Sequence, residues 1–216
     1  MAYTRTRKTY RKRSKTSWYD KKYSTLQLAR KAAQGVYYLK GLVNSEMLHN
    51  QQIGSTTVSS TGLVTLLNGM SQGDTSSART GNSVLMRNVH LRLVLTQAPA
   101  AISTIYRVML ILDKQQVGDT SPTISDILES ASPLSPLATA STGRFKVMKN
   151  WFFTTDDDKA QTKIITHYKD FRFHTRYNGI ANTDIQKNGL YLVLISDQAT
   201  NIPTLNYSWK VGYHDN

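Results

Sequence analysis

The sequence predicts an all-β fold: an eight-stranded antiparallel jelly roll with a basic, partly helical N-terminal arm. Three observations predict it. From about Glu46 onward, apolar and polar residues alternate with a period of two in segment after segment, the mark of strands with one buried face. Helical spacing appears in only two short stretches, whereas each parallel connection needs a crossover, usually a helix. The strands are therefore read as antiparallel, and eight of them with long loops favour a jelly roll. Charge, finally, is uneven. Of 27 Lys and Arg residues, eleven fall within residues 1–31 beside one acid, Asp20, so this segment carries +10 of the net +13.

Residues 1–23 mix basic residues with Thr, Ser and Tyr and show no apolar period, so they are expected to stay disordered until something anionic binds. Leu26, Ala29, Ala32, Ala33 and Val36 recur at helical spacing while Arg30 and Lys31 face away. This predicts a short helix over about 25–36 that ends near Gly35. The arm is taken as residues 1–40 and the jelly-roll domain as residues 41–216.

Short strands are expected at 46–53 and 62–67. In the strand Val84 to Leu95, Val89, Leu91, Leu93 and Leu95 alternate with Asn88, His90 and Arg92. Tyr106, Val108, Leu110 and Leu112 share one face of the next. Phe145, Val147, Trp151 and Phe153 mark a fifth strand, and Ile165, Phe171 and Phe173 share a face of a sixth, near 163–175. Leu190 to Ile195 is apolar on both faces and predicts a central strand. Leu205, Tyr207, Trp209, Val211 and Tyr213 alternate cleanly with Asn206, Ser208, Lys210 and Gly212 in the last. Asn178-Gly179 is the sharpest turn signal. The connection 114–143 is rich in Ser, Thr and Pro. Within it, Ser121-Pro122 followed by Ile124, Ile127 and Leu128 predicts a short helix capped at Ser121. A loop of this length is expected at the surface or at a symmetry axis.

Composition excludes several chemistries. The chain has no Cys, hence no disulfide framework, thiolate metal site or Cys nucleophile. The longest apolar run, Leu190 to Ile195, is far short of the roughly 20 residues of a membrane-spanning helix. The basic start lacks a following apolar stretch, so it is not read as a secretory signal. No phosphate-binding Gly-Lys loop, dinucleotide glycine pattern or HExxH motif occurs. His49, His90, His167, His174 and His214 are scattered, and the parity of His167 and His174 puts them on opposite strand faces. Asp156-Asp157-Asp158 is read as a solvated loop between strands rather than a cation site, and Asp74 and Asp197 as turn residues. Trp151, Trp209, Phe171, Phe173 and Tyr207 are read as core rather than as a base-stacking platform. No residue is assigned a catalytic role, and no enzyme is expected.

The nucleic-acid-binding residues are placed in the arm: Arg5, Arg7, Lys8, Arg11, Lys12, Arg13, Lys15, Lys21, Lys22, Arg30 and Lys31. Such a run neutralises phosphates without reading sequence, and its binding weakens steeply with salt. The interspersed Tyr3, Tyr10, Trp18 and Tyr19 add stacking that tolerates any base. Arg7 to Lys15 also fits a nuclear import signal.

The order of several segments resembles the coat protein of satellite tobacco necrosis virus. They are Leu67-Asn-Gly-Met-Ser-Gln-Gly-Asp74, Arg79-Thr-Gly81-Asn and the strand Val84 to Leu95. Arg107 to Asp113, Ser121-Pro-Thr-Ile-Ser-Asp-Ile-Leu128 and Arg144-Phe145-Lys-Val-Met-Lys149 follow in the same order. The resemblance is clearest over residues 45–150. The opening Met-Ala-Tyr-Thr-Arg-Thr-Arg-Lys-Thr-Tyr-Arg-Lys-Arg is more similar to coat proteins of small circular Rep-encoding single-stranded DNA viruses. The resemblance implies a viral capsid protein that forms an icosahedral shell of about sixty copies, with the arm inside. Its partners would be other copies of itself and a single-stranded DNA or RNA genome, with no membrane. Its location would be the virion, and the host nucleus during assembly if the genome is DNA. No cofactor is expected. The satellite virus family has calcium at subunit contacts, and Asp197 falls near a carboxylate position there. The residues around it differ, so the ligand role is not carried over and metal ligands stay unassigned. The rival reading is a cellular jelly-roll nucleic-acid-binding module that forms no shell.

Overall fold

The computed structural model describes residues 24–43 and 47–215. The expected disorder of residues 1–23 lies outside the described residues. The chain divides into two units, Met1–Val43 and Asn44–Asn216.

The first unit holds helix α1, Thr25–Val43. Ser24 and Gln27 cap it reciprocally: the Gln27 N–H donates to Ser24 Oγ at 3.4 Å and the Ser24 N–H to Gln27 Oε1 at 3.1 Å. The helix continues past Gly35, where its end was expected. A glycine ends a helix when the chain turns left-handed there, and Gly35 does not have positive φ. A mid-helix glycine costs only about 1 kcal/mol relative to Ala, and no proline follows to break the helix.

The second unit holds nine strands among the described residues. They are β1 (Leu48–Thr57), β2 (Leu63–Leu66), β3 (Ser83–Thr96), β4 (Ser103–Asp113), β5 (Phe145–Asp156), β6 (Thr162–Tyr177), β7 (Ile185–Lys187), β8 (Gly189–Ser196) and β9 (Thr204–Asp215). They form two antiparallel sheets, in the orders β1-β9-β3-β6-β7 and β2-β8-β4-β5. The chain passes repeatedly from one sheet to the other, which is the jelly roll that the sequence predicts. All eight expected strands are present. The ninth, β7, has three residues on the edge of β6, too few to show a period. Asn188, in the left-handed region at φ 62°, then carries the chain from β7 in one sheet to β8 in the other.

The main core lies between the sheets. Val89, Leu91, Leu93 and Leu95 of β3 face Tyr106, Val108, Leu110 and Leu112 of β4, with Trp209 and Val211 of β9 and Leu190, Leu192 and Leu194 of β8. Phe171 and Trp209 are buried in it, and Trp151, Phe173 and Tyr207 pack against it, as expected from their parity. Two bulges correct the simple alternation. One between Met86 and Asn88 lets Val84 and Met86 face the same way as Val89 despite the odd spacing. Another at Met148 splits the β5 residues read as one face. Trp151 and Phe153 join the main core, while Phe145 and Val147 go to the opposite side.

That opposite side is a second core. Met109 and Ile111 of β4 and Tyr191, Val193 and Ile195 of β8 are covered by Ile124, Ile127 and Leu128 from the 114–143 connection. This is why Leu190 to Ile195 is apolar on both faces. The covering helix α2 spans only Ile124–Ile127, and its cap is Thr123 rather than the expected Ser121. The Asp126 carboxylate accepts the Thr123 N–H at 2.7 Å and its hydroxyl at 2.8 Å. No described helix is long and apolar enough to cross a membrane.

Candidate nucleic-acid interface and its framework

Of the eleven predicted contact residues, Arg5, Arg7, Lys8, Arg11, Lys12, Arg13, Lys15, Lys21 and Lys22 lie outside the described residues. Arg30 and Lys31 sit on α1, both exposed. The apolar stripe of the same helix is also open, with Leu26 64% and Val36 55% exposed. A helix in this state presents cations and an uncovered apolar surface together.

The domain is held by polar residues that periodicity does not reveal. Asn68 is fully buried and ties the sheets together. Its Nδ2 donates to Thr175 Oγ1 of β6 at 2.8 Å and to Asn188 O at 3.0 Å, and its Oδ1 accepts the Leu190 N–H of β8 at 2.7 Å. Arg79 is also fully buried. Its Nε donates to Met70 O at 3.0 Å, and Nη1 to Gly81 O at 2.8 Å and Asn82 Oδ1 at 3.1 Å. Its Nη2 donates to Gly179 O, and its guanidinium lies 4.0 Å from the centre of the Tyr177 ring. The planar fork thus closes the 67–82 loop onto the β6–β7 turn, a task a point-charged Lys cannot perform. The turn signalled by Asn178-Gly179 falls there. A Cβ at Gly179 would come within 2.1 Å of Asp184 Oδ2, so a larger residue there must displace the Asp184 side chain.

Arg107 and Arg144 fasten the covering segment. Arg107 projects from β4, donates to Pro133 O and Ser135 O, and lies over Phe152. Arg144 makes a two-point ion pair with buried Asp113, at 3.0 and 2.6 Å. That hydrogen bond holds the Arg144 pKa above its ordinary value. These residues were legible only through the resemblance, which quoted Arg79, Arg107 and Arg144 without giving them a task.

Among the described residues no group of three His, Cys, Asp or Glu side chains is placed to hold a metal ion. Asp197 Oδ1 accepts the Ile105 N–H and the Gln198 amide, each at 3.0 Å, which is the turn role expected of it. Asp156 ends β5, and Asp157 and Asp158 stand in the solvated link to β6. His167 packs edge-on against Trp151 at 5.1 Å, and burial lowers its pKa, helped by Lys149 and Lys169. His174, on the other parity of β6, is exposed.

Two sheets joined by these clamps, with a capped basic helix ahead of them, define the class: a jelly-roll protein carrying a cationic arm. The chain belongs to the satellite tobacco necrosis virus coat protein family, whose model matches residues 27–216. It is a coat protein of the virion, structural rather than enzymatic. Among solved structures, the chain is similar to one of the infectious bursal disease virus Gx strain, at 10% identity and a TM-score of 0.30, covering 78% of this chain and 32% of that one. It is also similar to one of Cucumber Leaf Spot Virus, at 13% identity and a TM-score of 0.30, covering 77% of this chain and 56% of that one. The chain thus spans less than two thirds of either. No curated protein matches it.

Proposed function

We propose that this coat protein self-assembles into a closed icosahedral shell of about sixty copies and packages a single-stranded genome through its basic arm. The family match over residues 27–216 carries the reading, and the arm's charge supports it. About sixty arms at +10 supply on the order of 600 positive charges, enough to neutralise a good part of one to two thousand phosphates, roughly the size of a small genome. The open apolar stripe of α1 would meet copies of itself near a symmetry axis and orient the arms. Charge alone does not select DNA over RNA. The Tyr- and Arg-rich opening favours single-stranded DNA, and with it a nuclear stage driven by Arg7 to Lys15. No cofactor takes part within a subunit, and calcium acts only between copies. Chelation should then leave the unassembled protein's thermal midpoint unchanged and act only on the shell.

The deciding experiment is light scattering of the purified full-length chain at moderate salt. At 24.3 kDa per chain, a closed shell should weigh about 1.5 MDa. Nuclease digestion of its contents then distinguishes DNA from RNA. A monomer or dimer that stays small when nucleic acid is added overturns the proposal and favours the non-assembling module.

A further inference from the structure

The two sheets are treated differently on their outer faces. That of β2-β8-β4-β5 is covered by the 114–143 segment and its apolar side chains. The outer face of β1-β9-β3-β6 has no such cover among the described residues. Register places its side chains in rows: Gln51, Lys210, His90 and Tyr168 oppose one another across the four strands, and Ile53, Ser208, Arg92 and Thr166 form the next row.

Charge on the body is segregated by this face. Beyond residue 31 the chain has sixteen basic and thirteen acidic residues, close to balance. Yet Arg92, Arg172, Arg176 and Lys210 project outward from the sheet, all exposed, and Asp170 is the one described acid with them. The other described acids lie in loops, in the covering segment or at strand ends. Tyr168 shares a row with Lys210 and lies one row from Arg92, 58% exposed and edge-on to His90 at 6.3 Å between centres. Its hydroxyl donates to Asp170 Oδ1 at 2.7 Å, which holds the ring in place and engages the acid. Lys210 and Tyr168 are two strand spacings apart, about 10 Å. Cations beside an open aromatic ring are what sequence-independent binding of single strands uses. Four residues of sequence separate α1 from β1, the edge strand of this sheet.

We infer that this outer face is a second binding surface for single-stranded nucleic acid, with Arg92 and Lys210 on phosphates and Tyr168 stacked on a base. The inference rests on the packaging reading above.

The test uses full-length protein and a labelled oligodeoxythymidylate, with affinity followed between about 50 and 200 mM salt. The double variant Arg92→Ala/Lys210→Ala should reduce the slope of log affinity against log salt by about 1.4, two single-strand phosphate contacts. Tyr168→Ala should weaken binding about tenfold at every salt concentration with the slope kept. Both alter exposed positions, and an unchanged thermal midpoint confirms folding. The comparison variant, Arg11→Ala/Arg13→Ala, acts on the arm. If it weakens binding while both face variants match the parent, the second surface does not exist and the packaging reading survives. If the parent itself fails to bind, the packaging reading falls and takes this inference with it. If the face variants bind normally but no longer assemble, the face is a contact between copies, and the inference is overturned.

Discussion

Arg79 is an arginine buried to zero exposure whose hydrogen-bond partners are backbone carbonyls and the Asn82 amide oxygen. Truncating it leaves those acceptors desolvated and unpaired, the expensive half of the hydrogen-bond balance. Arg79→Ala should therefore cost about 3 kcal/mol in a denaturant titration. Arg79→Lys should recover only part, because an ammonium cannot span four acceptors in one plane. His167 gives a second prediction. Its Nε2 is buried without a partner, its ring rests on Trp151, and its folded pKa lies below the ordinary value. The unfolded chain then takes up the proton more readily, so this contribution is complete above the unfolded pKa of about 6.5 and is lost as pH falls through it. Thermal midpoints measured from neutral to acid pH should decline less in His167→Leu than in the parent. An identical decline would assign the acid sensitivity to other groups.

At the level of elements, the 114–143 connection is the clearest case of a segment whose composition misleads. Its Ser, Thr and Pro content reads as a loop, and the surface position expected of it is half the account. Three apolar residues within it, Ile124, Ile127 and Leu128, bury the far side of β4 and β8. Ile127→Ala, at a site with no exposure, should cost about 3 kcal/mol. The apolar run of β8 shows why: a strand apolar on both faces requires a cover for each. The sequence announced that requirement without naming the cover. Bulges were equally silent. A one-residue slip exchanges the two faces of a strand, so Phe145 and Val147 part from Trp151 and Phe153 although all four share parity.

For the whole molecule, the separation of basic arm and near-neutral body makes the parts separable in function. Deleting residues 1–23 should leave the thermal midpoint of the domain unchanged and lower the nucleic acid packaged per protomer, read from ultraviolet absorbance ratios. A full load in the truncated protein would remove the arm from packaging. Eight of the nine described strands, the central place of β8 and the cationic arm follow from the sequence alone, because apolar pattern and net charge are local properties that each of these segments displays by itself. Which strands pair, where register shifts, which arginines are buried and which sheet face stays open were decided only by the tertiary structure. Those depend on what another part of the chain brings to the same place: Asn68 joins β6 to β8 across more than a hundred residues, and no window of sequence contains both ends of that contact.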